Sequence, residues 1–416
     1  MNGDNDFVKV IISAGPGKLH FHETARAASS AGIEVEFITG WAPGPGQQRF
    51  ADSLGRMLGE NNLGKRLAAR RVEGERMRFR SMVLADFSVA GIGSLSRANL
   101  VPPDKMAAFS FKVFGASSRK YLHDADIFQV RSAAGQGGAI STARRNGLKV
   151  ITDHSIAHPK FMEEVLSKEY EQYGLQSDIK AGDALWTIVL KDCDQADCLL
   201  VNSDFVKDTF LKYGYPADRI RVAYLGVRES FFHLKQDYEI QGPVKLIFTG
   251  NLDLRKGARV LFEALRKLRA QGMDIRLELI GGMTNGKLVL QKDDSSFFTS
   301  KPFVLPEELR PSLAAADLFV FPTFIEGSSR SAMEAAAAGL PVITTTHCGL
   351  PLMDEHSVIY TPVGDVDALA SSIVRLVGDK VLRERLGRNA AEEISRNYTW
   401  DKYGQALAGI YRELAG

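Results

Sequence analysis

Short apolar runs alternate with stretches of helical periodicity along this chain, and the alternation constrains the fold more than any other feature. Residues 8–13 form an apolar run, a Gly-Pro-Gly sequence at 15–17 interrupts it, and a helical stretch at 23–31 precedes a second run at 35–39. Apolar runs of this length joined by helical segments are typical of β-α-β units. The beginning of the chain therefore predicts a parallel, doubly wound sheet.

The same pattern continues through the first half and then starts again after the turn-rich stretch 236–243. Strand-like runs occur at residues 127–130, 149–152, 198–201, 245–249, 276–280, 318–321 and 341–345. Helical stretches of the second half lie at residues 259–271, 332–338, 383–394 and 402–414. A chain of 416 residues is too long for one ordinary core. We therefore predict an α/β protein with two facing Rossmann-like domains, each with a parallel sheet.

The predicted domains are residues 1–225 and residues 241–396. The break at residues 397–400 lets the last helix, about residues 401–416, pack back on the first domain. Parallel sheets bind ligands at the carboxyl ends of their strands, so we expect the chemistry in an interdomain cleft.

Composition excludes several classes of protein. The net charge of +2 is too small for a general nucleic-acid-binding protein, so no nucleic-acid partner is expected. Cys193, Cys198 and Cys348 lack the further ligands of a metal site and are predicted to be buried thiols in a reducing cytoplasm. The polar amino terminus does not resemble a secretory signal, and no apolar run approaches the roughly 20 residues that span a bilayer.

The most informative segment is residues 321–343, in which a strand enters a small, hydroxyl-rich loop that opens an alanine-rich helix. The amides and dipole at such a helix start bind anions, and Arg330 adds a positive charge for a diphosphate. Glu326 in the loop and Glu334 in the helix can accept hydrogen bonds from sugar hydroxyls. Alternatively, they are a loop charge and a solvated helix face. The coincidence of loop, helix start and following strand favours a binding site.

A second candidate segment is the basic turn at residues 248–257. A strand ends there, Arg255 and Lys256 follow, and a helix begins near Arg259. A pair of basic residues is often only solvated, but its position directly after a strand end favours contact with a phosphate.

With these motifs the sequence resembles glycosyltransferase family 4, which has the two-lobed GT-B fold and a Glu-x7-Glu signature. Glu326 and Glu334 have that spacing. The resemblance implies that Lys256 contacts the donor phosphates. Asn251 stands where the family generally has arginine, so Arg255 is the candidate replacement.

The loop between the two glutamates departs from the family's usual Gly-Phe-Gly-Leu-Pro and reads Gly-Ser-Ser-Arg-Ser at residues 327–331. The resemblance still implies donor binding by its backbone and side chains. The candidates are Gly327, Ser328, Ser329 and Arg330.

The first domain supplies further candidates at strand ends. Gly15 and Gly17 would let a backbone approach a phosphate or sugar. His154 resembles the histidine that the family places beside the donor sugar, with His158 as the alternative. A lone histidine at a strand end is otherwise a structural hydrogen-bonding residue.

The function implied by the resemblance is transfer of a sugar, with retention of configuration, from a nucleotide-diphosphate sugar to a glycan or lipid-linked acceptor in surface polysaccharide biosynthesis. Glu326 and His154 are the implied catalytic residues. No cofactor is expected, and no metal, because the Asp-x-Asp pairs lack the surroundings of a metal site. The alternatives are a sugar-nucleotide epimerase and a glycosyltransferase-like binding protein without turnover.

Residues 64–80 contain seven lysines and arginines, interleaved with apolar residues. This pattern predicts either an amphipathic, cationic surface for anionic lipid headgroups or a solvated helix. The expected location is the cytoplasm, with peripheral contact at the inner face of the membrane.

Overall fold

A computed structural model describes residues 8–16, 20–40, 77–82, 102–177 and 179–416. The chain divides into two compact units. The first comprises residues 1–154, 182–200 and 403–416, and the second comprises residues 155–181 and 201–402.

The first sheet has seven strands among the described residues, in the order β3-β2-β1-β4-β5-β6-β7. Its strands are β1 (Lys9–Ser13), β2 (Glu34–Thr39), β3 (Met77–Ser81), β4 (Ile127–Arg131), β5 (Lys149–His154), β6 (Cys198–Val201) and β7 (Ile220–Val222). The pairings of β1 with β2 and β4 are parallel. Central strands such as β6 are buried at every position, as expected for a parallel sheet covered on both faces.

The second sheet has six strands in the order β10-β9-β8-β11-β12-β13, again with parallel pairing of β8 with β9 and β11. Its strands are β8 (Val244–Thr249), β9 (Ile275–Ile280), β10 (Phe298–Lys301), β11 (Leu318–Phe321), β12 (Val342–Thr344) and β13 (Ile359–Tyr360). The two parallel sheets confirm the predicted α/β class and its Rossmann-like domains. Because β8 and β11 are neighbours, the segments that follow them emerge at the same edge.

Helices connect the strands as the sequence pattern predicts. They are α1 (Phe21–Ser30), α2 (Pro103–Ser118), α3 (Ala139–Arg145), α4 (Pro159–Glu171), α5 (Ala184–Gln195), α6 (Asp204–Lys212), α7 (Ala258–Ala270), α8 (Pro306–Ala315), α9 (Arg330–Ala337), α10 (Val366–Gly378), α11 (Lys380–Asn397) and α12 (Trp400–Ala415). Among the described residues, none of the helices combines the length and apolar character needed to cross a membrane.

The units differ from the predicted domains at residues 155–181 and 201–225, which group with the second unit rather than with residues 1–154. Within residues 155–181, α4 makes long-range contacts with the second unit. The carboxylate of Glu169 in α4, almost fully buried, accepts hydrogen bonds from Nε and Nη2 of Arg259 in α7 at 2.9 Å each.

The end of α12, from residue 403 onward, belongs to the first unit. Gly404 lies directly against α1, where an added Cβ would be 2.2 Å from the carbonyl oxygen of Ala27. The hydroxyl groups of Tyr403 and Thr24 are 3.2 Å apart. Glycine therefore permits close packing of the last helix on α1.

The cationic stretch at 64–80 has a different structure from the predicted helix in its described part. Residues 77–80 lie in β3, which pairs with β2 in parallel. The ring of Phe79 contacts Phe37, and Arg80 Nε lies 2.7 Å from Glu36 Oε1. Cross-strand packing and this ion pair favour the strand. Residues 64–76 lie outside the described residues.

Candidate functional site

A glycine allows the basic turn after β8 to lie close to the end of β11. Gly257 precedes α7 with φ of +81°, a conformation that favours glycine. An added Cβ would lie 1.9 Å from the carbonyl oxygen of Pro322, which follows β11. The close approach therefore brings Arg255 and Lys256 next to the loop that follows β11.

Glu326 lies between these two cations. Arg255 Nη1 donates to Glu326 Oε1 at 2.8 Å, and Lys256 Nζ is 3.5 Å from the same oxygen. Arg255 Nη1 also donates to the carbonyl oxygen of Ile325 at 2.6 Å. The side chains of Arg255, Lys256 and Glu326 are 21%, 16% and 17% exposed, so the cluster is largely shielded from solvent but still accessible.

The nearby carboxylates act on the charge of Arg255. Burial alone would lower the pKa of Arg255, but the nearby carboxylates of Glu326 and Asp253 outweigh burial and raise it. Arg255 therefore stays charged. Arg255 and Lys256 can donate hydrogen bonds to a phosphate at this edge of the sheet.

Glu334 lies in α9, where its side chain is 20% exposed. Burial raises the pKa of Glu334, and the charges of Arg330 and Arg228 oppose that effect. Arg330 is more exposed, at 52%, and its Nη2 lies 3.9 Å from Glu334 Oε1. A narrow crevice is lined by Glu334, Arg228, Arg330 and Trp400, among others. A sugar hydroxyl could donate to Glu334 here.

The loop at residues 327–329 is largely engaged in the fold. An added Cβ on Gly327 would lie 2.0 Å from the carbonyl oxygen of Ser155, so this position requires glycine for packing. Ser329 caps α9 by accepting from the amide of Ala332, and its own amide donates to the carbonyl oxygen of Cys348 at 3.1 Å. Ser328 is also buried. Their donor contacts remain predictions.

Asn251, which occupies the usual arginine position, contacts a loop of its own unit. Its Nδ2 donates to Thr284 Oγ1 at 3.1 Å. The next loop residue, Asn285, accepts from the amide of Leu254 at 3.0 Å. These contacts join the basic turn to the loop at residues 284–285, and the donor contact of Asn251 stays a prediction.

In the first unit, His154 is the last residue of β5 and is buried, with Nδ1 2.9 Å from Ser132 Oγ. Gly15 follows β1 with φ of +66°, against the side chain of Ala134. Gly17 lies outside the described residues. The alternative histidine, His158, belongs to the second unit and caps α4 by accepting from the amide of Lys160.

Sequence reasoning missed three residues that contact or influence the candidate site: Thr284, Arg228 and His347. His347 follows β12 closely, and its carbonyl oxygen accepts from the amide of Glu326 at 3.0 Å. Its position just beyond a strand end is the signal that singled out His154, and it could have been found in the same way.

Two family comparisons cover most of the chain. Residues 18–231, just over half of the 416 residues, match Glycosyltransferase Family 4, and residues 243–379 match Glycosyl transferases group 1. The chain belongs to glycosyltransferase family 4. The family resemblance predicted from the glutamate spacing and the basic turn is thus confirmed, and the second match contains both segments.

Curated relatives of this family 4 chain include proteins of bacterial polysaccharide biosynthesis. The amylovoran biosynthesis glycosyltransferase AmsK of Erwinia amylovora is 28% identical over 307 residues, which are 67% of this chain and 70% of AmsK. The putative colanic acid biosynthesis glycosyltransferase WcaL of Salmonella typhimurium is 27% identical over 233 residues, which are 53% of this chain and 57% of WcaL. The match to WcaL thus spans little more than half of that protein.

Solved structures of similar fold extend over nearly the whole chain. Sucrose-phosphate synthase from Thermosynechococcus elongatus has a TM-score of 0.68 at 18% identity, covering 98% of this chain and 99% of that chain. Anabaena HepE, in complex with UDP and glucose, has a TM-score of 0.61 at 15% identity, covering 98% and 100%. The predicted GT-B fold is therefore confirmed for the family 4 chain.

Proposed function

We propose that this protein transfers a sugar from a nucleotide-diphosphate donor to a glycan or lipid-linked acceptor, with retention of anomeric configuration. The observation that carries the proposal is the contact of Glu326 with both Arg255 and Lys256. A carboxylate that accepts sugar hydroxyls thereby lies beside the two charges that a departing diphosphate requires.

The chemistry proposed is front-face displacement. The acceptor hydroxyl attacks the anomeric carbon on the side from which the nucleotide diphosphate leaves, so no carboxylate needs to form a covalent bond. The protein then acts mainly by positioning the donor and by stabilising negative charge on the leaving group. Lys256 and Arg255 serve the second role, and Glu326 positions the sugar.

Glu334 has a different role in this proposal. Its partly exposed carboxylate accepts hydrogen bonds from the ribose of the donor. Arg228 and Arg330 favour the ionised form that such a contact needs, against the effect of burial. His154 is proposed to contact the donor sugar, in keeping with the family resemblance.

Metal independence is part of the proposal, since Arg255 and Lys256 supply positive charge for the diphosphate. We expect a chelator to leave turnover unchanged. Inhibition by the chelator that magnesium reverses would contradict this part of the proposal and leave the transfer reaction intact.

The acceptor is proposed to belong to a surface polysaccharide, because the names of AmsK and WcaL refer to amylovoran and colanic acid biosynthesis. Peripheral attachment to anionic lipid through residues 64–80 is proposed as well. Each basic residue near such a surface contributes about 1 kcal/mol, so attachment should be salt-sensitive. Sedimentation with anionic and neutral vesicles at low and high salt tests it, and equal failure to bind both vesicle types removes the membrane part.

The transfer reaction is tested with a panel of nucleotide sugars that starts with UDP-glucose, in the presence and absence of candidate glycan acceptors. We expect the nucleotide to be released only when an acceptor is present. By NMR, the new glycosidic bond should have the same anomeric configuration as the sugar of the donor. Nucleotide release without an acceptor would favour an epimerase. Donor binding without release would favour a binding protein, which Asn251 in the usual arginine position also favours.

A further inference from the structure

Two loops of the second unit lie against each other beneath Glu326. One follows β11 at residues 322–329, and the other follows the neighbouring strand β12 at residues 345–349. Thr345 Oγ1 donates to the carbonyl oxygen of Thr323 at 2.7 Å, and the amide of Ser329 donates to the carbonyl oxygen of Cys348 at 3.1 Å. Hydrogen bonds thus join the loops at both ends.

His347 makes two further contacts between these loops, on either side of Ile325. Its carbonyl oxygen accepts from the amide of Glu326 at 3.0 Å, and its ring Nδ1 lies 2.9 Å from the carbonyl oxygen of Phe324. A carbonyl oxygen can only accept, so Nδ1 carries a hydrogen and donates it. One residue therefore fixes the peptide groups that enter and leave Ile325, directly before the Glu326 side chain.

The ring of His347 is itself held in place by aromatic neighbours. Phe205 stacks on it with ring centroids 4.8 Å apart, and Phe161 contacts it edge-on at 5.3 Å. Burial lowers the pKa of His347 and outweighs the opposing effect of the Phe324 carbonyl. The neutral ring therefore has one hydrogen to donate, and Phe324 receives it.

We infer that His347 is a positioning residue that sets the backbone of the Glu326 loop and thereby aims the Glu326 carboxylate at the donor sugar. The inference rests on the proposed function, in which Glu326 contacts that sugar. Glu334 lies within α9, five residues beyond its N-cap Ser329, whereas the His347 ring bonds to the carbonyl oxygen of Phe324. Loss of the ring donor should therefore affect turnover far more than donor affinity.

The experiment compares two substitutions of His347 that distinguish the effect of ring stacking from the effect of the Nδ1 hydrogen bond. His347→Phe keeps a planar ring for stacking on Phe205 but removes the hydrogen bond, whereas the side-chain amide of His347→Asn can replace the Nδ1 donor. Since misplacement of a reacting group by 1 Å can cost about 100-fold, we expect kcat of His347→Phe to fall about 10- to 100-fold with little change in donor Kd. His347→Asn should recover most of the lost kcat.

Thr345→Val is the matched control, because it removes a hydrogen bond between the same two loops without touching the Glu326 backbone. We expect lower stability but nearly unchanged kcat. If His347→Phe fails to fold, His347→Gln replaces it, since its amide reaches beyond the Nδ1 position. His347→Gln should then turn over more slowly than His347→Asn, and equal rates would overturn the inference.

A double-substitution cycle with Glu326→Ala decides whether His347 acts through Glu326. In that background His347→Phe should cause no further loss of kcat, and additive losses would overturn the inference. Wild-type kcat in His347→Phe, combined with low kcat in Glu326→Ala, would refute the positioning role alone. Wild-type kcat in Glu326→Ala would refute the proposed site, and the positioning role with it.

Discussion

Two shielded carboxylates, Asp192 in the first unit and Glu326 in the second, have partners of different charge. Asp192 is fully buried and accepts from neutral donors, among them the amide of Gly135 at 2.8 Å and Gln136 Nε2 at 2.6 Å. Burial raises the pKa of Asp192 to about 7, because these hydrogen bonds offset only part of the desolvation. Glu326, in contrast, is paired with two cations, Arg255 and Lys256.

The difference separates a carboxylate of the core from a carboxylate of the proposed donor site. Neutral donors satisfy the hydrogen-bonding capacity of Asp192 without compensating its charge, so its negative form destabilises the fold. The cations beside Glu326 compensate its charge, and they remain partly accessible to solvent. Substitutions at Asp192 should therefore change stability with pH, whereas substitutions around Glu326 should change turnover and donor binding.

The largest expected effect is that of Lys256→Ala on turnover. Its charge is needed most when the diphosphate departs, and removal of one such stabilising group costs about 100- to 1,000-fold in kcat. Steady-state kinetics and urea unfolding should show this loss without unfolding. Lys267→Ala is the control, since Lys267 is a surface lysine paired with Asp367. Retained turnover in Lys256→Ala would move the role to Arg255 or Arg330.

The pH dependence of stability should reveal the raised pKa of Asp192. Between about pH 4 and about pH 7 the folded state keeps a proton on Asp192 that the unfolded state has already lost. The contribution of this protonated carboxyl group to the free energy of unfolding is therefore complete below about pH 4 and is lost as pH rises through about 7. Between pH 5 and pH 8 the loss should be roughly 3 kcal/mol in the wild type and much smaller in Asp192→Asn.

Urea unfolding at the two pH values measures this difference. Asp208→Asn, at an exposed position, is the control and should follow the wild type. The same pH dependence in Asp192→Asn and the wild type would show that another group is responsible.

Next in size are the separate effects of the two site glutamates. Loss of a charged hydrogen-bond partner costs roughly 1.5–3 kcal/mol, or about 10- to 100-fold. Glu326→Ala should lower mainly kcat, and Glu334→Ala should weaken mainly donor Kd, as measured by calorimetry. Unchanged rate and affinity in both variants would refute the site assignment and remove the contrast with Asp192.

The smallest effect concerns the turn after β1 in the first unit. Gly15 and Gly32 both have positive φ, but only Gly15 is crowded, with an added Cβ 3.1 Å from Phe111 and Ala134. Gly32→Ala should cost about 1 kcal/mol through backbone strain, and Gly15→Ala should cost roughly 1 kcal/mol more through the crowding. Equal free energies of unfolding for the two variants would show that the crowding is relieved by side-chain movement.

Much of the second sheet could be predicted because its signals are local. The run at residues 318–321 is β11 at the same bounds, and residues 245–249 lie within β8. The structure of the cationic stretch at residues 64–80 was predicted less well. A helix was one of its two interpretations, whereas residues 77–81 form an edge strand that pairs with β2. Charged residues in an amphipathic pattern do not reveal a pairing partner that lies about 40 residues away in the chain.

The sequence by itself determined the family and the alternation of strands and helices. It also placed Glu326 and the basic turn just after strand ends, and Glu334 in the helix that follows Glu326. Only the tertiary structure decided which of these groups meet. Arg255 and Glu326 are 71 residues apart in the chain, and their contact depends on the adjacency of β8 and β11. The bond from His347 to Phe324 likewise depends on neighbouring strands. The hydrophobic periodicity of a segment indicates which of its own residues are buried. Contacts between distant segments depend instead on the order of the strands in the sheet and on close packing.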